Sequence, residues 1–360
     1  MLPPSLPTRG LPINTDPDEP VRLTDNDAAT SRLSAATLEY LQDPFAALLY
    51  KSSPLAGPSR KPPLINIGTH HRTWALDRLV DNFFRCCGDE AAQVVSLGAG
   101  SDTRFWRLMN RDTPPNLAHY LELDFPSMTS LKAQRIARSP KLSSLLSPRP
   151  VSPQVDHQPL FFENTTNILP TTQILPSSQK QPYQVLHGGQ GLTSLLYTLL
   201  PLDLRNQPLS SILSYLDQSR PTLFLAECVL CYMIPSEGNK VLEFFRENFS
   251  RCVGVIYEMC GLEDTFGKVM RRNLASRNLS LPGVYASPST LAERLLIEGK
   301  FDRADGISLW QVRSIIPEEE LKRISRLEQL DEVEELKLVL EHYCVVWGSK
   351  GLNMNLTLTN

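Results

Sequence analysis

A glycine turn flanked by hydroxyl and carboxyl side chains is the part of this sequence best suited to chemistry. Residues 94–97 form a short apolar run, Gly98 and Gly100 form the turn, and residues 101–103 offer oxygens that cap a helix. A strand, a glycine turn and a helix start make the nucleotide-binding corner of a doubly wound sheet. Thr103 stands where the dinucleotide fingerprint has its third glycine. The turn therefore favours an adenosyl ligand without a pyrophosphate.

Three acidic residues follow apolar runs further along the chain. Asp124 ends a predicted strand at the distance from the turn where a carboxylate accepts both ribose hydroxyls. Its alternative role, capping the next helix, is less favoured because the glycine turn lies upstream. Glu227 ends a second apolar strand, where a carboxylate is costly unless it is paired, so a functional role is plausible. Asp203 follows a third apolar run.

Two arginines precede the first strand of the predicted sheet. Arg32 is the one strong cation of a helix that the sequence predicts from Thr24, and its pattern alone favours a solvated surface position. Arg72 is predicted to begin a helix, where a cation opposes the macrodipole and needs an anionic partner or free solvent. The adjacent His70 and His71 are interpreted as ordinary polar residues, because their spacing suits a metal poorly. No metal site is predicted.

Strands and helices alternate along most of the chain, which predicts an α/β fold with a mainly parallel sheet. Residues 1–23 are proline-rich and are predicted to be a disordered tail, and residues 24–92 a helical cap. Residues 93–350 form the sheet domain and residues 351–360 a tail. Residues 141–200 are interpreted as a mobile, low-complexity insertion. Within it, residues 187–191 resemble a phosphate loop without the following lysine and are interpreted as linker.

Composition excludes several classes of protein. The chain has 360 residues and a net charge of -3, which gives no electrostatic footprint for nucleic acid or a membrane surface. No apolar run approaches the roughly 20 residues that a membrane span needs. The first residues lack the basic and apolar regions of a secretory signal. Seven cysteines in irregular positions indicate reduced thiols, so a cytoplasmic location is expected.

Five segments together carry a family resemblance. They are Leu97-Gly-Ala-Gly-Ser-Asp-Thr-Arg-Phe-Trp106, Glu122-Leu-Asp-Phe-Pro126, Asp203-Leu-Arg205, Ala226-Glu-Cys-Val-Leu-Cys-Tyr-Met233, and Leu330-Asp-Glu-Val-Glu-Glu with His342-Tyr-Cys344. The sequence resembles the leucine carboxyl methyltransferase family in its fungal form. The resemblance implies a class I, Rossmann-like methyltransferase that uses S-adenosylmethionine. The implied fold has a seven-stranded sheet with helices on both faces and an N-terminal helical cap.

The resemblance also implies a substrate and a set of site residues. The substrate is the α-carboxylate of the carboxyl-terminal leucine of the type 2A protein phosphatase catalytic subunit, and the enzyme is monomeric. Cofactor binding is assigned to Arg32, Arg72, Gly98, Gly100, Asp124, Asp203, Leu204 and Glu227. Among these, Asp124 holds the ribose, Asp203 and Leu204 contact the adenine, and Glu227 binds the ammonium.

Arg72 and Tyr232 are assigned roles in catalysis. Arg72 and the cap residue Arg32 bind carboxylate, and the family's animal members usually have lysine at the position of Arg32. Arg72 orients the acceptor carboxylate without neutralising it. Tyr232 lies at the edge of the site and positions the substrate.

Three alternatives remain open at this point. A related family branch methylates a carboxyl group on a hypermodified tRNA base, but that branch carries a β-propeller region whose repeats this sequence lacks. A nicotinamide-dependent oxidoreductase could use the same glycine turn, although Thr103 and the lack of a Tyr-x-x-x-Lys pair argue against it. A non-catalytic binding module is disfavoured by retention of the glycine and acidic residues.

Overall fold

A computed structural model describes residues 16–50, 60–147, 182–352 and 358 of the chain. Its strands are β1 (Ala92–Leu97), β2 (Leu117–Asp124), β3 (Tyr183–Leu186), β4 (Gly191–Ser194), β5 (Tyr197–Pro201), β6 (Thr222–Glu227), β7 (Cys252–Met259), β8 (Arg303–Ser308) and β9 (Tyr343–Lys350). Its α-helices are α1 (Glu19–Thr37), α2 (Ala46–Leu49), α3 (Pro63–Cys87), α4 (Arg104–Met109), α5 (Pro126–Arg138), α6 (Pro140–Ser143), α7 (Pro235–Asn248), α8 (Thr265–Ala275), α9 (Pro288–Ile297), α10 (Leu309–Ile315), α11 (Glu318–Ser325) and α12 (Val333–Glu341).

The described strands form one nine-stranded sheet in the order β3-β4-β5-β2-β1-β6-β7-β9-β8. The five central strands, β5-β2-β1-β6-β7, are parallel to one another. At one edge β9 runs antiparallel between β7 and β8. Apolar clusters cover both faces of the sheet, because its central strands are buried on both sides. This is the predicted α/β, Rossmann-like fold.

The strand count is two higher than the predicted seven, because an antiparallel hairpin extends one edge of the sheet. This hairpin, β3 and β4, pairs with β5 inside the stretch that the sequence assigned to an insertion. The prediction of a linker at residues 187–191 is therefore wrong. His187, Gly188 and Gly189 have positive φ and make the tight turn between the two strands. Residues 148–181 of the predicted insertion lie outside the described residues.

The cap helices begin earlier than the sequence predicted. Helix α1 starts at Glu19 instead of Thr24, with a proline in its first turn. Residues 1–15 of the predicted disordered tail lie outside the described residues. Helix α3 starts at Pro63 and packs against α1, β7 and β9. Arg72 lies in the middle of α3 rather than at its start, so the macrodipole argument does not apply to it. No helix among the described residues is long and apolar enough to cross a membrane.

Candidate active site

A cavity of about 590 Å³ lies where the carboxyl ends of β1, β2 and β6 meet beneath α1 and α3. Ligands of doubly wound sheets bind at this edge. All nine predicted site residues line this one cavity: Arg32, Arg72, Gly98, Gly100, Asp124, Asp203, Leu204, Glu227 and Tyr232. The fold thus brings together residues that lie up to 200 positions apart in the sequence.

The glycine turn touches the cap directly. Gly98 and Gly100 both have positive φ, a conformation that other L residues adopt at a cost. A Cβ atom on Gly100 would lie 2.3 Å from Oδ1 of Asp25 in α1. The same carboxylate accepts hydrogen bonds of 2.7 Å from the backbone N–H and the hydroxyl of Ser101. The turn therefore needs glycine for its backbone shape and for the close approach of α1.

Asp124 binds the turn rather than the next helix. Its Oδ2 accepts from the Gly100 N–H at 2.6 Å and its Oδ1 from the Phe125 N–H at 2.7 Å. The first residue of α5 receives no side-chain cap. Burial raises the pKa of Asp124 to about 6, although the two N–H groups oppose this shift. The carboxylate is ionised at neutral pH and protonated in mild acid.

The segment after β5 is tied to the cap through Arg205. This arginine makes two hydrogen bonds of 2.7 Å to Asp18, next to α1, and others to Asp203. Burial works against the charge of Asp203, but its bonds to Arg205 and Asn206 hold its pKa below the usual value. Both oxygens of Asp203 thus have partners within the described residues.

Four arginines and four acids form one connected network beside the cavity, here called the charged cluster. Its members are Arg32, Arg72, Arg104, Arg107, Asp43, Asp77, Asp102 and Glu227. The formal charges sum to zero. Because isolated charges are costly away from water, this balance is what allows so many of them to be buried together.

Glu227 lies between two arginines of the charged cluster. Its Oε2 accepts from Nε of Arg72 and its Oε1 from Nη1 of Arg104, both at 2.7 Å. Burial would raise the pKa of Glu227, but the two guanidinium groups lower it, so the carboxylate is ionised. Arg72 also lies over the ring of Tyr257, 4.5 Å from its centroid. Arg72 therefore has an anionic partner in Glu227, although it lies within α3 and not at its start.

Arg32 is not the solvated surface arginine that its pattern favoured. Its side chain is 14% exposed and pairs with Asp43, and its Nε also donates to the Thr103 hydroxyl at 3.1 Å. Its Nη2 is buried without a hydrogen-bond partner among the described residues. Burial and the neighbouring Arg107 lower the pKa of Arg32. Arg32 is thus a largely buried cation that lines the cavity and keeps one N–H group without a partner among the described residues.

Tyr232 is held at the cavity edge by a carboxylate beneath it. Tyr232 ends a single helical turn, Leu230–Tyr232. The backbone N–H groups of Val229, Leu230 and Cys231, in and just before this turn, donate to the carboxylate of Glu258. Burial raises the pKa of Glu258 to about 7. Burial also raises the pKa of Tyr232 above its usual value, so its side chain is a neutral phenol.

His70 and His71 are buried, contrary to their interpretation as ordinary polar residues. Their Nδ1 atoms lie 3.0 Å apart, Nε2 of His70 lies 2.8 Å from Glu320, and Nε2 of His71 lies 3.1 Å from Arg313. Because an arginine only donates, His71 carries its proton on Nδ1 and His70 on Nε2. All three hydrogen bonds that link Arg313, His71, His70 and Glu320 can form when both imidazoles are neutral.

Sequence reasoning missed the inner members of the charged cluster. Arg104 is 1% exposed and bridges Asp77, Asp102 and Glu227. Its place in the quoted Thr-Arg-Phe-Trp segment was the one available signal. The sequence contains no signal for Asp43 or Asp77, since each pairs with partners distant in the chain. No group of three or more metal-ligating side chains is positioned to hold a metal within the described part of the chain.

This chain is similar to a protein family, to several known proteins and to solved structures. A family model for leucine carboxyl methyltransferase matches residues 14–246, more than half of the chain. Leucine carboxyl methyltransferase 1 of Cryptococcus neoformans is 52% identical over 373 residues, covering 95% of this chain and 98% of that protein. The protein of that name from Bos taurus is 34% identical, covering 97% and 95%. A solved magnesium protoporphyrin IX methyltransferase from Synechocystis has 10% identity and a TM-score of 0.40, covering 84% of this chain and 91% of its own.

The Rossmann-like sheet and the family match together place this protein among the class I methyltransferases. The chain belongs to the leucine carboxyl methyltransferase family. The family assignment confirms the predictions of a methyltransferase and of S-adenosylmethionine as its methyl donor. The same assignment excludes the alternative of a nicotinamide-dependent oxidoreductase.

Proposed function

We propose that this protein methylates the α-carboxylate of the carboxyl-terminal leucine of the type 2A protein phosphatase catalytic subunit, forming a leucine methyl ester. The observation that carries the proposal is a pair of arginines, Arg32 and Arg72, beside the glycine turn of the cavity. Both are suited to carboxylates, and one has an unpaired Nη2 atom. The near full-length similarity to leucine carboxyl methyltransferase 1 supports this substrate. Cytoplasmic location and a monomeric state remain predictions.

The cavity residues fit S-adenosylmethionine. The guanidinium group of Arg32, which lines the cavity, suits the amino acid carboxylate, and the ionised Glu227 suits the ammonium group. Asp124 lines the cavity with an ionised carboxylate that accepts hydroxyl donors, as the ribose requires. Asp203 and Leu204 line the part assigned to the adenine. When bound, the cofactor supplies an electrophilic methyl group.

The residues of the site need to orient the acceptor more than to activate it. A carboxyl terminus is already ionised at neutral pH, so no general base is required. Arg72 shares its charge with Glu227, and this lets it position the acceptor carboxylate without fully neutralising it. Tyr232 offers a neutral hydroxyl at the cavity edge. Alignment of acceptor and methyl group in a site that excludes water is the main contribution of the protein.

Transfer of labelled methyl groups to an intact phosphatase catalytic subunit tests the proposal. We expect stoichiometric labelling that is lost on mild alkaline treatment, as a methyl ester requires. A subunit that lacks only its last leucine should stay unlabelled and serves as the control. Equal labelling of both subunits, or a label stable to alkali, would refute the proposed acceptor.

A further inference from the structure

Three glycines lie inside α-helices of the described part of the chain, and one of them has no packing reason to be glycine. Glycine is less favourable than alanine in a helix interior. A Cβ atom on Gly238 of α7 would clash with a buried guanidinium group, and one on Gly267 of α8 would lie 2.5 Å from a backbone Cα atom. A Cβ atom on Gly68 of α3 would meet only Cδ2 of Leu340, at 4.0 Å, apart from its own helix backbone and sequence neighbours. The protein therefore leaves a space at Gly68 that a methyl group could fill.

The space at Gly68 opens into the active-site cavity. Gly68 lines the cavity and lies one helical turn before Arg72. Residues four apart share a helix face and side chains lean toward the helix N-terminus, so the Arg72 side chain leans toward the turn that contains Gly68. No side-chain atom of Arg72 comes within 4 Å of the Cβ position at Gly68, so the arginine does not fill the space itself. A carboxylate held by Arg72 can therefore direct its own side chain toward Gly68.

Aliphatic side chains from three helices line the cavity around this space, here called the apolar arm. Its members, from α3, α10 and α12, are Leu64, Ile65, Gly68, Leu309, Val339 and Leu340. Helix α10 directly follows β8 and α12 directly precedes β9, the two strands at one end of the sheet. The residues assigned to the cofactor instead follow the glycine turn and the strands β5, β2 and β6. The arm is therefore distinct from the part assigned to the cofactor, and its lining suits an aliphatic group.

We propose that the apolar arm binds the side chain of the acceptor's last residue, and that the lack of a side chain at Gly68 sets the longest aliphatic group that the arm admits. The inference rests on the proposed function, because that function places the acceptor carboxylate at Arg72. An apolar pocket distinguishes groups that differ by one methylene by roughly 10- to 200-fold. Gly68 is thus a specificity-determining residue that allows leucine where a larger residue at this position would favour a shorter side chain.

Gly68→Ala tests the arm with one added methyl group. It should raise KM for a phosphatase catalytic subunit ending in leucine about tenfold. The same subunit with alanine as its last residue should be used as poorly or as well as by the wild type, because its side chain does not reach the added methyl. The melting temperature should rise, since alanine is the better helix former. A glycine needed only for the fold would give a lower melting temperature and equal losses for both acceptors.

Two further variants make the test specific. Cys86→Ala lies near the end of the same helix, at an exposed position outside the cavity lining, and is the matched control for a change in helix propensity. It should leave both acceptors unaffected. Leu340→Val shortens the side chain that faces Gly68 by one methylene. Combined with Gly68→Ala, it should restore part of the lost use of the leucine form.

Acceptor affinity for enzyme saturated with S-adenosylhomocysteine separates this inference from the proposed function, because binding is then observed without chemistry. A preference for the leucine form that Gly68→Ala removes, without methyl transfer by the wild type, would refute the proposed function and support the arm. Methyl transfer by the wild type with no loss in Gly68→Ala, or with equal losses for the two acceptors, would overturn the arm and leave the proposed function standing. Weaker binding of S-adenosylhomocysteine by Gly68→Ala would show a disturbed cavity and would also overturn it.

Discussion

Replacing Arg32 by glutamine isolates the contribution of one guanidinium group to cofactor binding. The substitution removes the unpaired Nη2 atom and a cation whose pKa is already lowered by burial. Asp43 keeps hydrogen bonds from the Thr103 hydroxyl and from the Phe45 and Ala46 backbones. The variant should therefore fold, because the carboxylate left behind is not isolated.

The size of the effect follows from the bond that is lost. A hydrogen bond to a charged group contributes about 1.5–3 kcal/mol. At about 1.4 kcal/mol per factor of ten, Arg32→Gln should weaken S-adenosylmethionine roughly 10- to 150-fold. Arg32→Lys should recover only part of the affinity, since an ammonium cannot reach Asp43 and the ligand in the way that a planar fork does.

Calorimetric titration with two ligands provides the assay. Methylthioadenosine shares the adenosine group of the cofactor but has neither its carboxylate nor its ammonium. Its affinity should be the same for the wild type and for Arg32→Gln. Equal losses for both ligands would show that the substitution disturbs the whole cavity, and no loss for either would refute carboxylate binding by Arg32.

Three further predictions concern pH and turnover. Asp124→Asn should lower cofactor affinity at least tenfold at neutral pH, and wild-type affinity should fall as pH drops through about 6, the pKa of Asp124, because only the ionised carboxylate accepts both hydroxyls; a flat wild-type profile would contradict the ribose assignment. Arg72→Ala should lose at least about a hundredfold in methyl transfer, roughly 2.7 kcal/mol of barrier, while Arg104 still compensates Glu227, and near-normal turnover would return Arg72 to a structural role. Burial lowers the folded-state pKa values of His70 and His71, so the unfolded chain binds more protons below about 6.5. The free energy of unfolding should therefore fall as pH drops below about 6.5. Chemical denaturation at several pH values should show a weaker pH dependence of this free energy in a variant with glutamine at both positions.

The sequence predicted which acidic residues lie at the ligand-binding edge of the sheet, because each of them ends a predicted strand. Asp124 and Glu227 end apolar strands, and carboxyl ends of parallel strands meet at one edge. Their presence in one cavity could therefore be expected before any coordinates. The glycine turn was equally readable, since positive φ at Gly98 and Gly100 is a backbone requirement that residue type reveals.

The charged cluster could not be read in the same way. Arg104 and Asp77 are 27 positions apart and meet only after α3 packs across the sheet. Local pattern also misplaced Arg72, because Pro63 opens α3 more than two turns before the predicted start. The β3–β4 hairpin was missed because its short strands adjoin a polar, proline-rich stretch that masks their alternation.

Charge balance in the charged cluster constrains how this protein diverges. Two of its four arginines contact more than one acid: Arg107 contacts two and Arg104 three. A change at a position that serves several partners, such as Arg104, leaves unpaired charges where water is scarce, which costs several kcal/mol. Related chains should therefore vary here by paired exchange, with the loss of a cation matched by the loss of an acid. Exposed ion pairs on the surface, such as Lys322 with Glu318, are free to vary one residue at a time.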